Sequence, residues 1–248
     1  TQSSNVGTIM VAQQLGAERL DDYLGRFGFG EPTALAFPNE APGIMLPLDE
    51  WSGTSIGSIP IGQGISVTAL QMLSAFNVIA NDGVYVPPRL VLARVADDGS
   101  RHPVAGPEAH RVVSASTARQ LSTMMMSVVD TGTGTGAAIP GYRVAGKTGT
   151  ARKPQDTGGY EDAAGNYHYV ATFAGFVPAE DPELSMIVVL DEPTASIYGG
   201  EVSAPVFAQL GQYALARYGI APPAQLLPAT PPVLGVDPSQ DGVGTPVP

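Results

Sequence analysis

Three consecutive segments late in the chain have the pattern of β-strands, and the segment after them has the pattern of a helix. The strand candidates, residues 142–152, 169–177 and 184–191, carry apolar or β-branched side chains and are separated by Gly- and Pro-containing stretches. Residues 178–182 resemble a hairpin loop, and residues 202–218 place apolar side chains at helical spacing. Further helices are predicted at residues 6–15, 17–27, 67–80 and 116–129. Because strands and helices are partly segregated, the sequence predicts an α+β fold with a mainly antiparallel sheet flanked by helices.

Local signals predict where several of these elements begin and end. Ser66 is the predicted N-cap of the helix at 67–80, and the Asn-Asp-Gly sequence at 81–83 is predicted to end it. Residues 89–95 are predicted to form a strand. Residues 221–248 are rich in Pro, which breaks helices and central strands. The sequence therefore predicts that residues 1–220 form the C-terminal part of one domain, followed by a Pro-rich flexible tail over residues 221–248.

The composition excludes several classes of function. The chain of 248 residues has a net charge of −11, which argues against nucleic acid or an anionic membrane surface as partner. It contains no cysteine, so disulfides and thiolate metal sites are excluded. Its three histidines show no ligand spacing, and the sequence predicts neither a metal nor a cofactor. No apolar run approaches the roughly 20 residues of a membrane span.

Two short motifs carry the chemical information. Lys-Thr-Gly occupies residues 147–149 on a predicted strand, and Ser-x-Asn occupies residues 3–5. These are two of the three signatures of the penicillin-recognising serine enzymes. The third signature, Ser-x-x-Lys, is absent, because Val144 precedes one of the two lysines by three positions and Thr150 precedes the other. The chain is therefore predicted to hold part of an active site, with no nucleophile of its own.

A phosphate-binding loop is the sharpest alternative for the lysine motif. Residues 141–148 match G-x-x-x-x-G-K-[ST], and residues 186–192 resemble the apolar strand and acid that would hold magnesium. A phosphate loop must follow a strand and open a helix, whose N-terminal amides bind the phosphate. Residues 132–140 do not have a strand pattern, and Gly149 and Pro154 disfavour a helix after the motif. The surroundings therefore disfavour a P-loop NTPase.

Beyond these motifs, the chain resembles the class B penicillin-binding proteins of the division-associated type. The resemblance implies a penicillin-binding/β-lactamase-like transpeptidase fold. It also implies a serine-type peptidoglycan D,D-transpeptidase of cell-wall synthesis, with roles in cell division and cell shape. The matching stretches follow the family's order and are residues 3–7, 62–65, 67–71, 79–84, 132–134, 144–151, 173–178, 191–193 and 198–200.

The resemblance gives the residues of the lysine motif their expected roles. Lys147 would attract the carboxylate of the substrate and assist proton transfer near the nucleophile. Thr148 and Thr150 would donate hydroxyl hydrogen bonds to that carboxylate. Gly149 would let a peptide substrate approach the strand edge, and the backbone N–H of Thr150 would be one oxyanion donor.

The N-terminal motif has matching expected roles. Ser3 would relay a proton to the leaving group together with Lys147, and Asn5 would hydrogen-bond the substrate amide. The expected partners are peptidoglycan stem peptides, β-lactam antibiotics and divisome proteins. The expected location is the outer face of the cytoplasmic membrane, through an anchor that precedes this chain.

The missing motif leads to an expectation about where the chain begins. Residue 1 is expected to lie inside a domain, with the nucleophilic serine and its lysine upstream, so that the chain alone is inactive. Loss of that upstream helix would leave apolar faces unburied. Two alternatives remain open. One is a non-catalytic relative that binds peptidoglycan or a division partner, and the other is a β-lactamase or carboxypeptidase with the same fold.

Overall fold

The computed structural model describes residues 1–35, 37–156 and 158–223. The helices are α1 (Asn5–Leu15), α2 (Ala17–Arg26), α3 (Ser55–Ser58), α4 (Ala69–Ala80), α5 (Ala115–Thr131) and α6 (Gly199–Tyr218). The strands are β1 (Ile44–Met45), β2 (Ile65–Ser66), β3 (Val84–Tyr85), β4 (Ala93–Val95), β5 (Arg101–Pro103), β6 (His110–Arg111), β7 (Ala145–Arg152), β8 (Tyr169–Val177) and β9 (Leu184–Asp191). Short 3-10 turns lie at Leu48–Glu50, Ile59–Ile61 and Thr135–Ala137.

The main sheet has the strand order β7–β8–β9, and both of its pairings are antiparallel. Three two-stranded antiparallel sheets, β1–β2, β3–β6 and β4–β5, complete the strand pairing of the described residues. The predicted α+β class with a mainly antiparallel sheet is therefore confirmed. The predicted bounds of β8 and β9 are also confirmed.

The central strand β8 is covered on both faces. Phe173 is fully buried against α6, where its ring meets the Phe207 ring edge-on at a centroid distance of 4.9 Å. Phe176 is buried on the opposite face, in a cluster with Met126 of α5 and Ala145 of β7. Burying one large apolar side chain stabilises a fold by about 1.5–3 kcal/mol, so these two layers hold the sheet in place.

Two predicted boundaries are wrong at the start of elements. β7 begins at Ala145 rather than at residue 142, because Tyr142 closes a turn in which its N–H donates to the Ile139 carbonyl at 3.1 Å. Ser66 does not cap α4, because it pairs within the β1–β2 sheet. Thr68 caps the helix instead, two residues later.

Two further differences have local causes. α5 begins at Ala115 because the Ser114 hydroxyl accepts the Thr117 N–H at 3.1 Å, so the helix runs slightly longer than predicted. The strand predicted at 89–95 is shorter in the structure, where only Ala93–Val95 pairs with β5. Of the predicted tail at 221–248, residues 224–248 lie outside the described residues.

The N-terminal helix α1 is capped but sparsely covered. The Ser4 hydroxyl accepts the Gly7 N–H at 3.1 Å, which satisfies one of the free amides at the helix start. Ala12 is the buried residue of α1, whereas Val6, Met10 and Val11 are 69%, 56% and 66% exposed. In the part of the chain that the structure describes, every helix is too short or too polar to cross a membrane.

Candidate active site

Strand β7 forms an edge of the main sheet. It pairs only with β8 among the described residues, so its other side has no strand partner. Lys147 and Gly149 lie in the middle of this strand, opposite Ala174 and Thr172 of β8. An extended peptide can pair with such an edge through its backbone, as in strand addition.

The ammonium group of Lys147 binds three neutral acceptors. Its Nζ lies 3.0 Å from Ser3 Oγ, 2.9 Å from the Thr148 carbonyl oxygen and 3.3 Å from Thr148 Oγ1. The ion pairs found among the described residues do not include Lys147. Among the residues that the structure describes, no carboxylate therefore balances the charge of this lysine beside the sheet edge.

Burial also affects the protonation of this lysine. Desolvation lowers the pKa of Lys147 below its ordinary value, because the charged form loses contact with water. An anionic ligand at the sheet edge would restore the lost stabilisation of the ammonium group. A lysine with a lowered pKa is also better suited to proton transfer than an ordinary surface lysine.

Ser3 is held in a strained conformation that directs its hydroxyl to Lys147. Its φ is 52°, in the left-handed region that non-glycine residues rarely adopt. The chain is anchored before and after Ser3, since the Thr1 carbonyl accepts the Thr133 N–H at 3.3 Å and Ser4 caps α1. Strain of this kind tends to occur at functional sites, where the surroundings fix a side chain.

The two threonine hydroxyls of the lysine motif each have a partner on a neighbouring segment. Thr148 Oγ1 lies 2.9 Å from Thr133 Oγ1, in the turn that follows α5. Thr150 Oγ1 accepts the Gly199 N–H, at the start of α6, at 3.3 Å. Hydrogen bonds therefore connect one threonine hydroxyl to the turn after α5 and the other to the start of α6, while both remain on the edge strand.

The structure gives a different reason for the glycine of the motif than the expected approach of substrate. A Cβ atom at Gly149 would lie 2.3 Å from Thr172 Oγ1, so the space on that side is filled by β8. A Cβ atom at Gly199 would in turn lie 2.5 Å from the Gly149 carbonyl oxygen. Gly149 therefore allows close packing between β7, β8 and the start of α6.

The structure brings together most of the predicted site residues. Ser3, Lys147 and Thr148 are in direct contact, and Thr150 follows on the same strand. Asn5 begins α1, two residues after Ser3, with an exposed side chain. The lysine motif lies on a strand and not at the start of a helix, which contradicts the phosphate-loop alternative.

Sequence reasoning missed two contacts of this site. The Gly-Thr-Gly segment at 132–134 is a turn beside the lysine motif, but the pairing of Thr133 with Thr148 spans fifteen residues and leaves no periodic signal. The amide of Gly199 reaches Thr150 across forty-nine residues. The only sequence signal for either contact is the position of both segments within the ordered set of family-like stretches.

Comparison with known proteins identifies the family. A family model described as the penicillin binding protein transpeptidase domain matches residues 1–212. The chain is 42% identical over 230 residues to penicillin-binding protein PbpB of Mycolicibacterium smegmatis, covering 88% of this chain and 35% of that protein. It is 36% identical over 222 residues to the probable peptidoglycan D,D-transpeptidase PbpC of Pseudomonas aeruginosa, covering 89% and 37%.

Solved structures agree with these sequence matches. Penicillin binding protein 3 from Mycobacterium tuberculosis, complexed with ampicillin, superimposes with a TM-score of 0.82 at 40% sequence identity. The match covers 93% of this chain and 52% of that one. The chain spans about a third of the length of the PbpB and PbpC relatives. The chain belongs to the transpeptidase-domain family of the class B penicillin-binding proteins.

Proposed function

We propose that this chain is the substrate-binding part of a peptidoglycan D,D-transpeptidase that acts in cell-wall synthesis and cell division. The observation that carries the proposal is the 3.0 Å contact between Lys147 Nζ and Ser3 Oγ beside the unpaired edge of β7. This contact joins the two motifs that carry the chemical information, although 144 residues separate Ser3 from Lys147 in the sequence. Family membership supports the assignment of a transpeptidase reaction to this pair.

The nucleophilic serine of this reaction would precede residue 1 in the intact protein. The chain contains no Ser-x-x-Lys sequence, and its match covers only 35% of the PbpB relative. Three apolar side chains on α1, those of Val6, Met10 and Val11, are more than half exposed beside the Ser-x-Asn motif. An upstream helix that carries the serine and its lysine would cover them.

In the proposed reaction, the serine oxygen attacks the carbonyl carbon of the penultimate D-Ala of a stem peptide. The bond from that carbon to the terminal D-Ala nitrogen breaks, and an acyl ester forms. The proton from the serine passes through the Ser3–Lys147 pair to the departing amine. The amine of a second stem peptide then attacks the ester, which forms the cross-link and releases the serine.

Residues of β7 would bind the substrate during both steps. Thr148 and Thr150 would donate hydroxyl hydrogen bonds to the terminal carboxylate, whose charge Lys147 balances. The Thr150 N–H would be one of two oxyanion donors, and Asn5 would bind the peptide amide. The edge of β7 would hold the extended peptide backbone.

The same site would accept β-lactams, and two complexes of a relative support this. Penicillin binding protein 3 from Mycobacterium tuberculosis has been solved with aztreonam and with ampicillin. We propose stem peptides and β-lactams as ligands and divisome proteins as partners. The intact protein would act at the outer face of the cytoplasmic membrane, through an anchor that precedes this chain.

Labelling with a fluorescent penicillin tests the proposal. The intact protein that contains residues 1–248 should be labelled covalently at a Ser-x-x-Lys serine, whereas residues 1–248 alone should not be labelled covalently. Stable acylation of residues 1–248 alone would contradict the upstream nucleophile. An intact protein that lacks Ser-x-x-Lys and is not labelled would indicate a non-catalytic, peptidoglycan-binding relative instead.

Product analysis distinguishes transfer from hydrolysis. A stem-peptide donor and an amine acceptor should yield the cross-linked dimer with release of D-Ala. Hydrolysed donor without any dimer would identify a carboxypeptidase. Rapid hydrolysis of the penicillin itself would identify a β-lactamase.

A further inference from the structure

Thr133 has no role in the proposed reaction, yet it lies at the proposed carboxylate site. It follows α5 in a turn whose two neighbouring amides, of Gly132 and Gly134, donate to the Val128 carbonyl at 3.1 and 3.0 Å. Its own side chain is exposed, and its hydroxyl meets Thr148 Oγ1 at 2.9 Å. The turn thus presents one hydroxyl group to the lysine motif.

Close packing fixes the turn on both sides. A Cβ atom at Gly132 would lie 2.7 Å from the Thr1 carbonyl oxygen, and one at Gly134 would lie 3.0 Å from the Phe173 ring. A Cβ atom at Gly200 would lie 2.2 Å from the Thr133 carbonyl oxygen. No side chain fits at any of these three positions without a shift, so the Thr133 backbone has little freedom to move.

The hydrogen-bonding capacity of Thr148 indicates which hydroxyl donates in the contact between Thr133 and Thr148. A threonine hydroxyl has one hydrogen to donate and two lone pairs that accept. Lys147 Nζ, which can only donate, occupies one lone pair of Thr148 Oγ1 at 3.3 Å. If the Thr133 hydroxyl donates to the second lone pair, the hydrogen of Thr148 is the one group left for a ligand.

We propose that Thr133 is a positioning residue that makes the Thr148 hydroxyl a hydrogen-bond donor toward the substrate carboxylate. The inference rests on the proposed function, since it assigns a role within the same carboxylate site. In this arrangement Lys147 and Thr133 fill both lone pairs of the Thr148 oxygen. The site then favours a ligand that accepts, such as a carboxylate, over a ligand that donates, such as an amide.

The Thr150 hydroxyl, two residues after Thr148 on β7, is also left with its hydrogen available for a ligand. Its oxygen accepts the Gly199 N–H at 3.3 Å, which also leaves its hydrogen free for a ligand. The difference is that a backbone amide cannot reverse its direction, whereas a hydroxyl can. The identity of residue 133 therefore decides whether Thr148 matches Thr150 as a donor.

The test compares acylation of the intact protein by a penicillin and by its methyl ester, which has lost the carboxylate charge. The variants are Thr133→Val, which removes the hydroxyl at nearly constant volume, and Thr133→Ser, which keeps it. Thr135→Val is the matched control, because Thr135 is exposed and lies two residues further along the chain. Loss of one hydrogen bond predicts that Thr133→Val weakens reversible binding of the free acid by about three- to tenfold.

Three further results are expected if the inference is correct. Acylation by the methyl ester should fall less in Thr133→Val than acylation by the free acid, because the neutral ester carbonyl accepts a weaker hydrogen bond than the carboxylate does. Thr133→Ser should restore recognition of the free acid, and Thr135→Val should leave it unchanged. Combining Thr133→Val with Thr148→Val should cost little more than Thr148→Val alone, because the first residue acts through the second.

Two outcomes would overturn the inference while the proposed function stands. One is that the penicillin acylates the unaltered protein and the Thr133→Val variant equally well. The other is an equal loss of acid and ester recognition, which would show a merely structural role. If the unaltered intact protein is not acylated by the penicillin at all, the proposed function fails and this inference fails with it.

Discussion

Gly149 lies directly opposite Thr172 in the main sheet, and the Thr172 hydroxyl occupies the space that a side chain at residue 149 would need. The distance from an ideal Cβ at residue 149 to Thr172 Oγ1 would be 2.3 Å, whereas the Thr172 Cβ would be 3.7 Å away. The first distance is a severe clash, whereas the second is an ordinary van der Waals contact. The conflict is therefore limited to one oxygen atom, which makes it testable by substitution.

Gly149→Ala should destabilise the intact protein, by about 1–3 kcal/mol as for other cases of overpacking. Adding Thr172→Ala should remove the conflict and restore most of the loss, as measured by urea denaturation. Thr172→Ala alone is the control for loss of the hydroxyl itself. No recovery in the double variant would show that the glycine is needed for some other reason.

The same two substitutions show whether Gly149 is needed for packing against Thr172 or for the approach of a peptide substrate to β7. If packing alone requires Gly149, the double variant should recover penicillin acylation together with stability. If the peptide must also pass close to residue 149, acylation should stay low after stability has returned. Acylation rate and denaturation midpoint, measured on the same samples, separate these two roles.

The chain has two lysines, and the structure gives them different surroundings. Lys147 binds neutral groups beside the sheet edge, whereas Lys153 forms ion pairs with Asp191 and Glu192, both at 2.8 Å. Lys147→Met should slow penicillin acylation by about a hundredfold or more, the range of general acid–base catalysis. Lys153→Met should leave the acylation rate unchanged, because exposed ion pairs contribute little. Equal effects of both substitutions would contradict the role given to Lys147.

The strands of the main sheet were predictable because their signals are local. The bounds of β8 and β9 follow from continuous apolar runs that end at polar or Pro-containing loops. The start of β7 was not predictable, because Tyr142 has a strand-like side chain but lies in a turn closed by Ile139. Turn geometry of this kind depends on backbone hydrogen bonds that a pattern of side chains does not reveal.

The site itself was predictable only in part. The sequence predicts that Ser3 and Lys147 act together, and Lys147 Nζ lies within hydrogen-bond distance of both Ser3 Oγ and Thr148 Oγ1. The strain at Ser3 and the hydroxyl contact of Thr133 depend on how distant segments of the chain come together beside β7. Contacts between segments so far apart in the chain carry no periodicity, so a single sequence cannot indicate them.

Gln71 joins α4 to the long connection before it and should matter for stability. Its side chain is 1% exposed, and its Oε1 accepts the Thr68 N–H at 2.8 Å. Its Nε2 donates to the carbonyl oxygens of Glu31 and Pro42, at 2.8 and 2.9 Å. Gln71→Leu would remove these three hydrogen bonds, which are partly shielded from water, and the loss of each costs about 0.5–1.5 kcal/mol.

We therefore expect Gln71→Leu to lower the free energy of unfolding of the intact protein by at least about 2 kcal/mol. Gln120→Leu on α5 is the matched control, since that side chain is exposed and the change should stay within about 0.5 kcal/mol. Urea denaturation of the two variants measures the difference directly. Equal stabilities would show that water forms hydrogen bonds with the backbone groups that Gln71 no longer contacts.

His168 lies between two carboxylates at the end of the loop that joins β7 to β8. Its Nε2 is 3.1 Å from Asp162 Oδ2, and its Nδ1 is 3.1 Å from Glu192 Oε2. A neutral imidazole has one N–H, so both contacts are hydrogen bonds only when the ring is protonated. The hydrogen bond with Asp162, followed by that with Glu192, raises the pKa of His168 above its ordinary value.

The direction of this shift fixes the pH dependence of stability. A histidine whose pKa is raised by folding contributes fully below its unfolded pKa, and the contribution disappears as pH rises through the folded pKa. NMR titration of the intact protein should give a midpoint for the His168 ring above about 6.5. His168→Gln should flatten the dependence of stability on pH over the same window, because the substituted side chain does not titrate. A midpoint at or below about 6.5 would mean that the two carboxylates do not hold the ring in its charged form in solution.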